Sequence, residues 1–278
     1  MAGFLKRGQS PLISSSVQPV ESNFQLPEYQ ELPEDEVHIW QANLDALALA
    51  TESSPLLLSQ DEHRRAGRFH FESDRKRYIA GRQFLRKLLS AYLKTDFTGL
   101  SFHYSPKGKP SLGPASEIRF NVSHSGRIAL FAFVRGRELG VDVEQIHKEV
   151  NVKEIAGRFF SRAEQTTFAA VAEELKQEAF FRCWTRKEAF VKAKGDGLSL
   201  ALDQFDVSLV PGESAQLLST RPDPEEQHRW SMWDLNVGPD YAAALVLEGK
   251  VASVVEKRTS VAVECGAGSE SLAQRFKT

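Results

Sequence analysis

The same succession of helix and strand patterns occurs twice along the chain, and this repetition restricts the fold more than any other feature. A Gly-Arg-Phe triplet at residues 67–69 and its copy at 157–159 each open a long helical pattern. Apolar strand patterns at residues 125–136 and 238–249 each close their half. Self-similarity at a long period is typical of a duplicated structural unit. The sequence therefore predicts a tandem duplication of an α+β unit, with its junction near residues 136–140.

Helix and strand periodicities divide the chain further. Apolar residues recur at helical spacing between residues 72 and 93, which predicts a long amphipathic helix. Strand patterns occupy residues 37–40, 100–104, 117–122, 128–135 and 140–144. We predict a disordered arm (1–36), an N-terminal α+β half (37–138), a C-terminal α+β half (139–252) and a tail (253–278).

Composition excludes several classes of protein. The 278 residues are 41% hydrophobic and carry a formal net charge of −2, which is typical of a soluble globular chain and not of a general nucleic-acid binder. No window approaches the ~18 consecutive apolar residues of a membrane span, and two cysteines are too few for a disulfide framework. We therefore expect a cytoplasmic protein with neither a membrane nor a nucleic acid as its partner.

Positive charge is concentrated in residues 61–87, where nine cations accompany four acids. Such a stretch is usually a solvated helix face, but with Lys107 and Lys109 it could form a basic rim for a phosphorylated ligand or an acidic protein. The loop at 107–110, Lys-Gly-Lys-Pro, is no P-loop. It lacks the upstream glycine, and a proline interrupts its lysine and serine.

Two carboxylates share one face of the strand predicted at 140–144. Because strand side chains alternate, Asp142 and Glu144 project together, away from Val141 and Val143. One interpretation is a solvated strand edge. The other is a site for a hard divalent cation, which would relieve the repulsion between carboxylates about 6 to 7 Å apart.

A second candidate lies on the helix predicted around residues 184–192. Glu188 and Lys192 are four residues apart and so share one helix face. They form either an ordinary surface pair or part of a site. The second interpretation is supported by the glycines at 195 and 197, which end the helix and leave its last turn beside a tight loop.

The third candidate is a strand that runs into a turn at residues 121–125, Asn-Val-Ser-His-Ser. Hydroxyls, an imidazole and backbone amides at such a turn can bind an anion. A hydrolytic Ser-His-Asp triad is not predicted, because there is no nucleophile elbow and His124 lies directly between two serines. We interpret His124 as a phosphate contact, with a satisfied turn residue as the alternative.

In this order, the motifs resemble the Sfp-type 4′-phosphopantetheinyl transferases over roughly residues 60 to 250. The resemblance rests on Lys107-Gly108-Lys109-Pro110, Asn121-Val122-Ser123-His124-Ser125, Gly140-Val141-Asp142-Val143-Glu144, Arg158-Phe159-Phe160-Ser161 and the helix 184–192 followed by Gly195 and Gly197-Leu198. It implies two similar α+β halves around a cleft that holds the active site. It also implies transfer of the phosphopantetheine arm of coenzyme A to a serine of an acyl, polyketide or peptidyl carrier protein, with release of adenosine 3′,5′-bisphosphate.

The resemblance implies roles for individual residues. Asp142, Glu144 and Glu188 would bind Mg²⁺, or Mn²⁺, and Glu188 would also be the base for the carrier serine, directly or through water. Lys192 would stabilise charge on the leaving bisphosphate. Contacts with coenzyme A are implied for Arg65, Lys107, Gly108, Lys109, Pro110, Asn121, Ser123, His124, Asp142 and Lys192.

Two other functions are compatible with the same residues. One is a metal-dependent phosphohydrolase with the same acidic triad, and the other is a non-catalytic module whose basic stretch binds an acidic protein or nucleic acid. The product formed from coenzyme A in the presence of apo carriers separates the three. Because two fused halves remove the need for a cleft between subunits, we expect a monomer.

Overall fold

The computed structural model describes residues 12–20, 29–51, 58–96, 99–195, 200–221 and 223–261. In these ranges the strands are β1 (Leu12–Val20), β2 (Glu36–Asn43), β3 (His103–Tyr104), β4 (Pro110–Ser111), β5 (Ile118–Ser125), β6 (Ile128–Arg135), β7 (Leu139–Gln145), β8 (Phe205–Val207), β9 (Leu217–Thr220), β10 (Trp230–Asp234), β11 (Tyr241–Glu248) and β12 (Ser253–Val261). The α-helices are α1 (Leu44–Thr51), α2 (Gln60–Ala66), α3 (Glu72–Leu93), α4 (Val152–Phe159), α5 (Arg162–Ala170) and α6 (Lys176–Lys194). None of these helices has the length and apolar character needed to cross a membrane.

The two halves of the chain contain antiparallel units with the same strand order. In the N-terminal half β6 lies between β2 and β5, and in the C-terminal half β11 lies between β7 and β10. A two-stranded hairpin follows the long helix of each half, β3–β4 after α3 and β8–β9 after α6. The predicted α+β class is confirmed, and the matching topology shows the duplication.

The long helix of each half covers its sheet. α3 has the predicted bounds, and its Phe84, Leu85 and Leu88 are buried against the sheet, where the rings of Phe84 and Phe131 meet edge to face at 4.9 Å. α6 packs in the same way on β7 and β11. Each large apolar side chain buried in this manner contributes about 1.5–3 kcal/mol. These contacts hold helix and sheet together on either side of the junction.

α6 approaches β7 closely at Gly140. A Cβ atom built on Gly140 would lie 2.1 Å from the carbonyl oxygen of Ala189 and 2.4 Å from the amide nitrogen of Ala193. No side chain fits in that space, so glycine is required under the helix. The close contact sets Glu188 and Lys192, which lie on α6, beside the acidic strand.

Capping boxes, and not the Gly-Arg-Phe triplets, mark equivalent positions in the two halves. Ser59 with Glu62 begins α2, and Ser161 with Glu164 begins α5. The first triplet follows α2, but the second forms the end of α4 and is separated from α6 by the whole of α5. The expectation that both triplets open a long helix is therefore wrong for residues 157–159.

Strands from both ends of the described chain widen the N-terminal sheet. β12 pairs in parallel with β2 on one side and with β1 on the other, which gives the order β1-β12-β2-β6-β5. The segment interpreted as a tail (253–278) thus begins as a strand, and the segment interpreted as a disordered arm (1–36) contains one. β12 carries consecutive charged residues, Glu256 and Lys257, and its composition resembles that of a polar linker. The segment can be recognised as a strand only from the strands that pair with it.

Candidate functional site

Asp142 and Glu144 lie on β7, at the seam between the two halves, where β5 and β7 are neighbours. Val141 and Val143 are fully buried in the core, so Asp142 and Glu144 project from the opposite face. Asp142 is only 3% exposed and Glu144 is partly buried. The interpretation of this face as a solvated edge is wrong, because β5 and α6 pack against it.

Polar side chains of β5 bind the backbone of β7. Three side-chain oxygens at alternate positions of β5 accept hydrogen bonds from alternate N–H groups of β7: Asn121 Oδ1 from Val141 (2.9 Å), Ser123 Oγ from Val143 (3.3 Å) and Ser125 Oγ from Gln145 (3.0 Å). The two hydroxyls donate in turn, Ser123 to Asp142 Oδ1 and Ser125 to Glu144 Oε2, both at 2.9 Å. Asn121 and Ser123, predicted to contact coenzyme A, therefore also join the two halves.

Lys192 extends from α6 to the acidic strand. Its Nζ donates to Asp142 Oδ1 at 2.7 Å and to Ser123 Oγ at 2.9 Å. In the described structure this contact replaces the Glu188–Lys192 surface pair that the helical spacing allowed. An ammonium group has three N–H donors, so one remains for a further acceptor.

Glu188 lies one helical turn before Lys192, within the electric field of the acidic strand. Burial, and then the charge of Asp142, raise the pKa of Glu188, while Lys192 opposes the shift. Burial and Asp142 likewise raise the pKa of Glu144, and Glu188 adds to this effect. Burial also raises the pKa of Asp142, against the lowering effect of Lys192. Asp142 thus acts on both other carboxylates.

These carboxylates provide oxygen ligands for a divalent cation. Among the described residues no group of three or more His, Cys, Asp or Glu side chains is already arranged around a metal position. Asp142 Oδ2, however, is buried without a hydrogen-bond partner. An uncompensated buried oxygen and repulsion between carboxylates are both costly, and a hard cation relieves both. The donor set of Asp142, Glu144 and Glu188 therefore fits Mg²⁺ or Mn²⁺.

A cavity of about 330 Å³ lies between the β3–β4 hairpin and the end of α6. Residues 107–110 and Asn121 line it from the N-terminal half, and Glu188 and Lys192 line it from the C-terminal half. The structure thus brings seven predicted site residues to one cavity. Gly195 also lines it, while Gly197 and Leu198 lie outside the described residues.

Lys109 anchors the hairpin to the C-terminal half. Its Nζ donates to three oxygen atoms: Glu138 Oε2 (3.0 Å) and the carbonyl oxygens of Leu139 (3.3 Å) and Ala193 (3.4 Å). All three N–H donors of the ammonium are therefore occupied. The turn itself depends on Gly108, whose φ of 85° lies in the left-handed region that glycine adopts readily. Lys107, by contrast, is exposed beside the cavity.

His124 lines a separate cavity of about 180 Å³, which includes Tyr78 and Arg82 of α3. Desolvation of the imidazole where it lines this cavity, followed by the charge of Lys192, lowers the pKa of His124, although the residue as a whole is exposed. The predicted phosphate contact of His124 stays a prediction.

The basic segment 61–87 is only partly a surface feature. Arg82 and Arg86 both bind the buried carboxylate of Glu62, at 2.7 and 2.8 Å. Arg65 pairs with Asp61 at 2.9 Å, and its predicted contact with coenzyme A stays a prediction. The exposed cations of the segment are Arg64, Arg68, Arg75 and Lys76.

Sequence reasoning missed the ion pairs through which two buried basic side chains support α6. Lys187, which precedes Glu188, is fully buried, and its Nζ lies 2.8 Å from Glu164 Oε2. Arg186, also fully buried, lies 2.7 Å from Asp234 Oδ2. The Ser-x-x-Glu pattern at 161–164 could have been recognised as a capping box. No local signal identifies Lys187 as the partner of Glu164.

Comparison with known proteins places the chain in a family. Residues 138–246 match the profile of the 4′-phosphopantetheinyl transferase superfamily, and residues 39–134 match that of the 4′-phosphopantetheinyl transferase N-terminal domain. The chain is 37% identical to the 4′-phosphopantetheinyl transferase HetI of Nostoc sp., over 77% of this chain and 89% of HetI. The chain belongs to the 4′-phosphopantetheinyl transferase superfamily.

Other relatives cover less of the transferase. The present chain is 34% identical to the 4′-phosphopantetheinyl transferase Sfp of Bacillus subtilis, over 55% of this chain and 66% of Sfp. The crystal structure of Thermotoga maritima holo-acyl-carrier-protein synthase matches over 41% of this chain and 63% of the synthase chain, with 22% sequence identity and a TM-score of 0.33. The predicted family is confirmed, and with it, at the level of the family, transfer of 4′-phosphopantetheine from coenzyme A to a carrier protein.

Proposed function

We propose that the transferase moves 4′-phosphopantetheine from coenzyme A to a carrier-protein serine in the cleft between its two halves. The cavity of about 330 Å³ supports this assignment most directly. One of its walls is the hairpin turn at residues 107–110, and the other contains Glu188 and Lys192. A diphosphate in this cavity would lie beside a lysine ammonium and a carboxylate. The two walls come from the two fused halves of the chain, so the cleft needs no second subunit, which supports a monomeric enzyme.

Asp142, Glu144 and Glu188 are the residues that would hold Mg²⁺, or Mn²⁺. The unpartnered Oδ2 of Asp142 and the raised pKa values of Glu144 and Glu188 support this assignment. When bound, the cation would neutralise charge on the diphosphate oxygens of coenzyme A. We expect EDTA to abolish transfer, and either Mg²⁺ or Mn²⁺ to restore it.

Glu188 is our candidate for the general base. Its carboxylate lines the cavity and has no hydrogen-bond partner among the described residues, and its raised pKa strengthens it as a base. As the serine oxygen bonds to the β-phosphorus, the bond from that phosphorus to the oxygen of the leaving bisphosphate breaks, and Glu188 takes the serine proton. A carboxylate bound to a cation is a weaker base, so the two roles assigned to Glu188 compete.

Lys192 is suited to stabilise the leaving group. Two of its N–H donors bind Asp142 and Ser123, which hold the ammonium beside the acidic strand. The third can donate to a phosphate oxygen, where negative charge develops as the bisphosphate leaves.

The experiment that tests this function is incubation of the protein with coenzyme A, Mg²⁺ and a panel of apo carrier proteins. Mass spectrometry should show a carrier that gains one phosphopantetheinyl group, with adenosine 3′,5′-bisphosphate as the second product. Free phosphopantetheine without a modified carrier would instead identify a hydrolase. For the Asp142→Ala variant we expect a folded protein that modifies no carrier, even at saturating coenzyme A. Binding without turnover by the unmodified protein, on every carrier tested, would identify a binding module.

A further inference from the structure

Two strand edges meet at the seam between the halves. β5 is an edge strand of the N-terminal sheet and β7 is an edge strand of the C-terminal one, and among the described residues the two sheets share no backbone ladder. The strands are nevertheless neighbours. Backbone N–H groups at such an edge need partners, because an unpaired buried donor is costly.

The partners are the side chains at 121, 123 and 125 of β5, which we call the polar ladder. Since side chains at alternate positions of a strand lie on one face, three of them can meet three alternate N–H groups of a neighbouring strand. The turn after Ser125 lies against the side chain of Gln145, the last residue of β7. A Cβ atom on Gly126, whose φ is 54°, would lie 2.4 Å from Gln145 Oε1. The polar ladder therefore extends along β7 as far as Gln145.

Ser125 has a geometry that fixes the direction of its hydroxyl proton. A serine hydroxyl has one donor and two acceptor positions. The N–H of Gln145 donates to Ser125 Oγ at 3.0 Å, so the hydroxyl proton is available to Glu144 Oε2, at 2.9 Å. Within the described residues this is the one hydrogen bond that the Glu144 carboxylate receives. Asp142 differs, because its Oδ1 accepts from both Ser123 and Lys192.

We infer that Ser125 is a positioning residue for Glu144, and that it orients this carboxylate toward the ion held with Asp142 and Glu188. The inference rests on the proposed metal site. Ser125 donates to Glu144 Oε2, so Oε1 is the oxygen that would be free to bind a cation. Without the hydroxyl, Glu144 can rotate away from Asp142, whose charge repels it.

The test compares Ser125→Ala with Ser125→Thr by direct binding of Mn²⁺. Each protein is titrated with Mn²⁺ in the presence of saturating coenzyme A, and free Mn²⁺ is measured by electron paramagnetic resonance. Loss of a residue that orients a metal ligand typically weakens metal affinity about 10- to 100-fold, which we expect for Ser125→Ala. Ser125→Thr retains a hydroxyl and should bind Mn²⁺ nearly as well as the unmodified protein. Activity with a carrier should recover in Ser125→Ala at high Mn²⁺ concentration.

Gln41→Ala is the matched control, because Gln41 Nε2 donates to the carbonyl oxygen of Val237 at 3.1 Å, a hydrogen bond between the halves that involves neither a carboxylate nor a predicted site residue. We expect it to lower the unfolding temperature but to leave the Mn²⁺ affinity unchanged. Equal Mn²⁺ affinity of Ser125→Ala and the unmodified protein would overturn the role of Ser125. Equal losses in Ser125→Ala and Gln41→Ala would also overturn it, since the effect would then come from the contact between the halves as a whole. Failure of the unmodified protein to bind Mn²⁺ would instead overturn the metal site itself, and carrier modification would still test the function separately.

Discussion

Replacement of Lys187 by methionine should leave the carboxylate of Glu164 buried without its ion-pair partner. Glu164 is 2% exposed, and the Lys187 ammonium that now lies 2.8 Å away also donates to the carbonyl oxygens of Leu202 (2.6 Å) and Phe205 (2.7 Å). Removal of one partner from a buried ion pair costs about 3–5 kcal/mol. At roughly 2 °C per kcal/mol for a chain of this size, the unfolding temperature should fall by about 6–10 °C.

Urea and thermal unfolding measure this effect, with Lys148→Met as the control. Lys148 is exposed, so its replacement should change the free energy of unfolding by no more than about 0.5 kcal/mol. The double variant Lys187→Met/Glu164→Gln removes the unpaired charge and should recover at least about 1 kcal/mol. Below its unfolding temperature, Lys187→Met should still bind coenzyme A normally, because Lys187 is buried away from the cavity.

Two results would refute this reasoning. If Lys187→Met were as stable as Lys148→Met, the buried pair would make no net contribution. If the double variant were no more stable than Lys187→Met, the loss would come from packing and not from an unpaired carboxylate.

Three further predictions concern pH and salt. Because Lys192 lowers the pKa of Glu188, Lys192→Met should shift the acid limb of the residual kcat/KM profile to higher pH, and an unshifted limb would argue against Glu188 as the base. Burial, followed by the charge of Lys257, lowers the pKa of His38 from 6.5 to about 4, so the unfolded chain binds a proton between these values that the folded chain does not. About 3 kcal/mol of the free energy of unfolding, fully present above pH 6.5, should be lost as pH falls toward 4. Urea unfolding at pH 7 and 4.5 should show a smaller loss in His38→Asn than in the unmodified protein. For an acidic carrier, kcat/KM should fall as ionic strength rises, because exposed cations such as Arg68 and Arg75 attract it before contact; a flat dependence would contradict this.

The sequence by itself determined the features that depend on near neighbours in the chain. Helical periodicity predicted α3 with its observed bounds, Glu72–Leu93, and strand patterning did the same for β6, Ile128–Arg135. Alternation along β7 predicted that Asp142 and Glu144 share a face. These predictions succeed because backbone geometry repeats every 3.6 or 2 residues, so a short window contains all the information needed.

Only the tertiary structure decided which residues meet across the halves. Lys192 shares a helix face with Glu188 but binds Asp142, fifty positions away, because Gly140 lets α6 lie directly on β7. The side chains of the polar ladder on β5 bind the backbone of β7. β12, whose sequence resembles a tail, pairs with β2 in the N-terminal sheet. The physical reason is that such contacts depend on how two sheets and a helix pack together. No pattern within one segment of the sequence identifies the distant residues against which that segment packs.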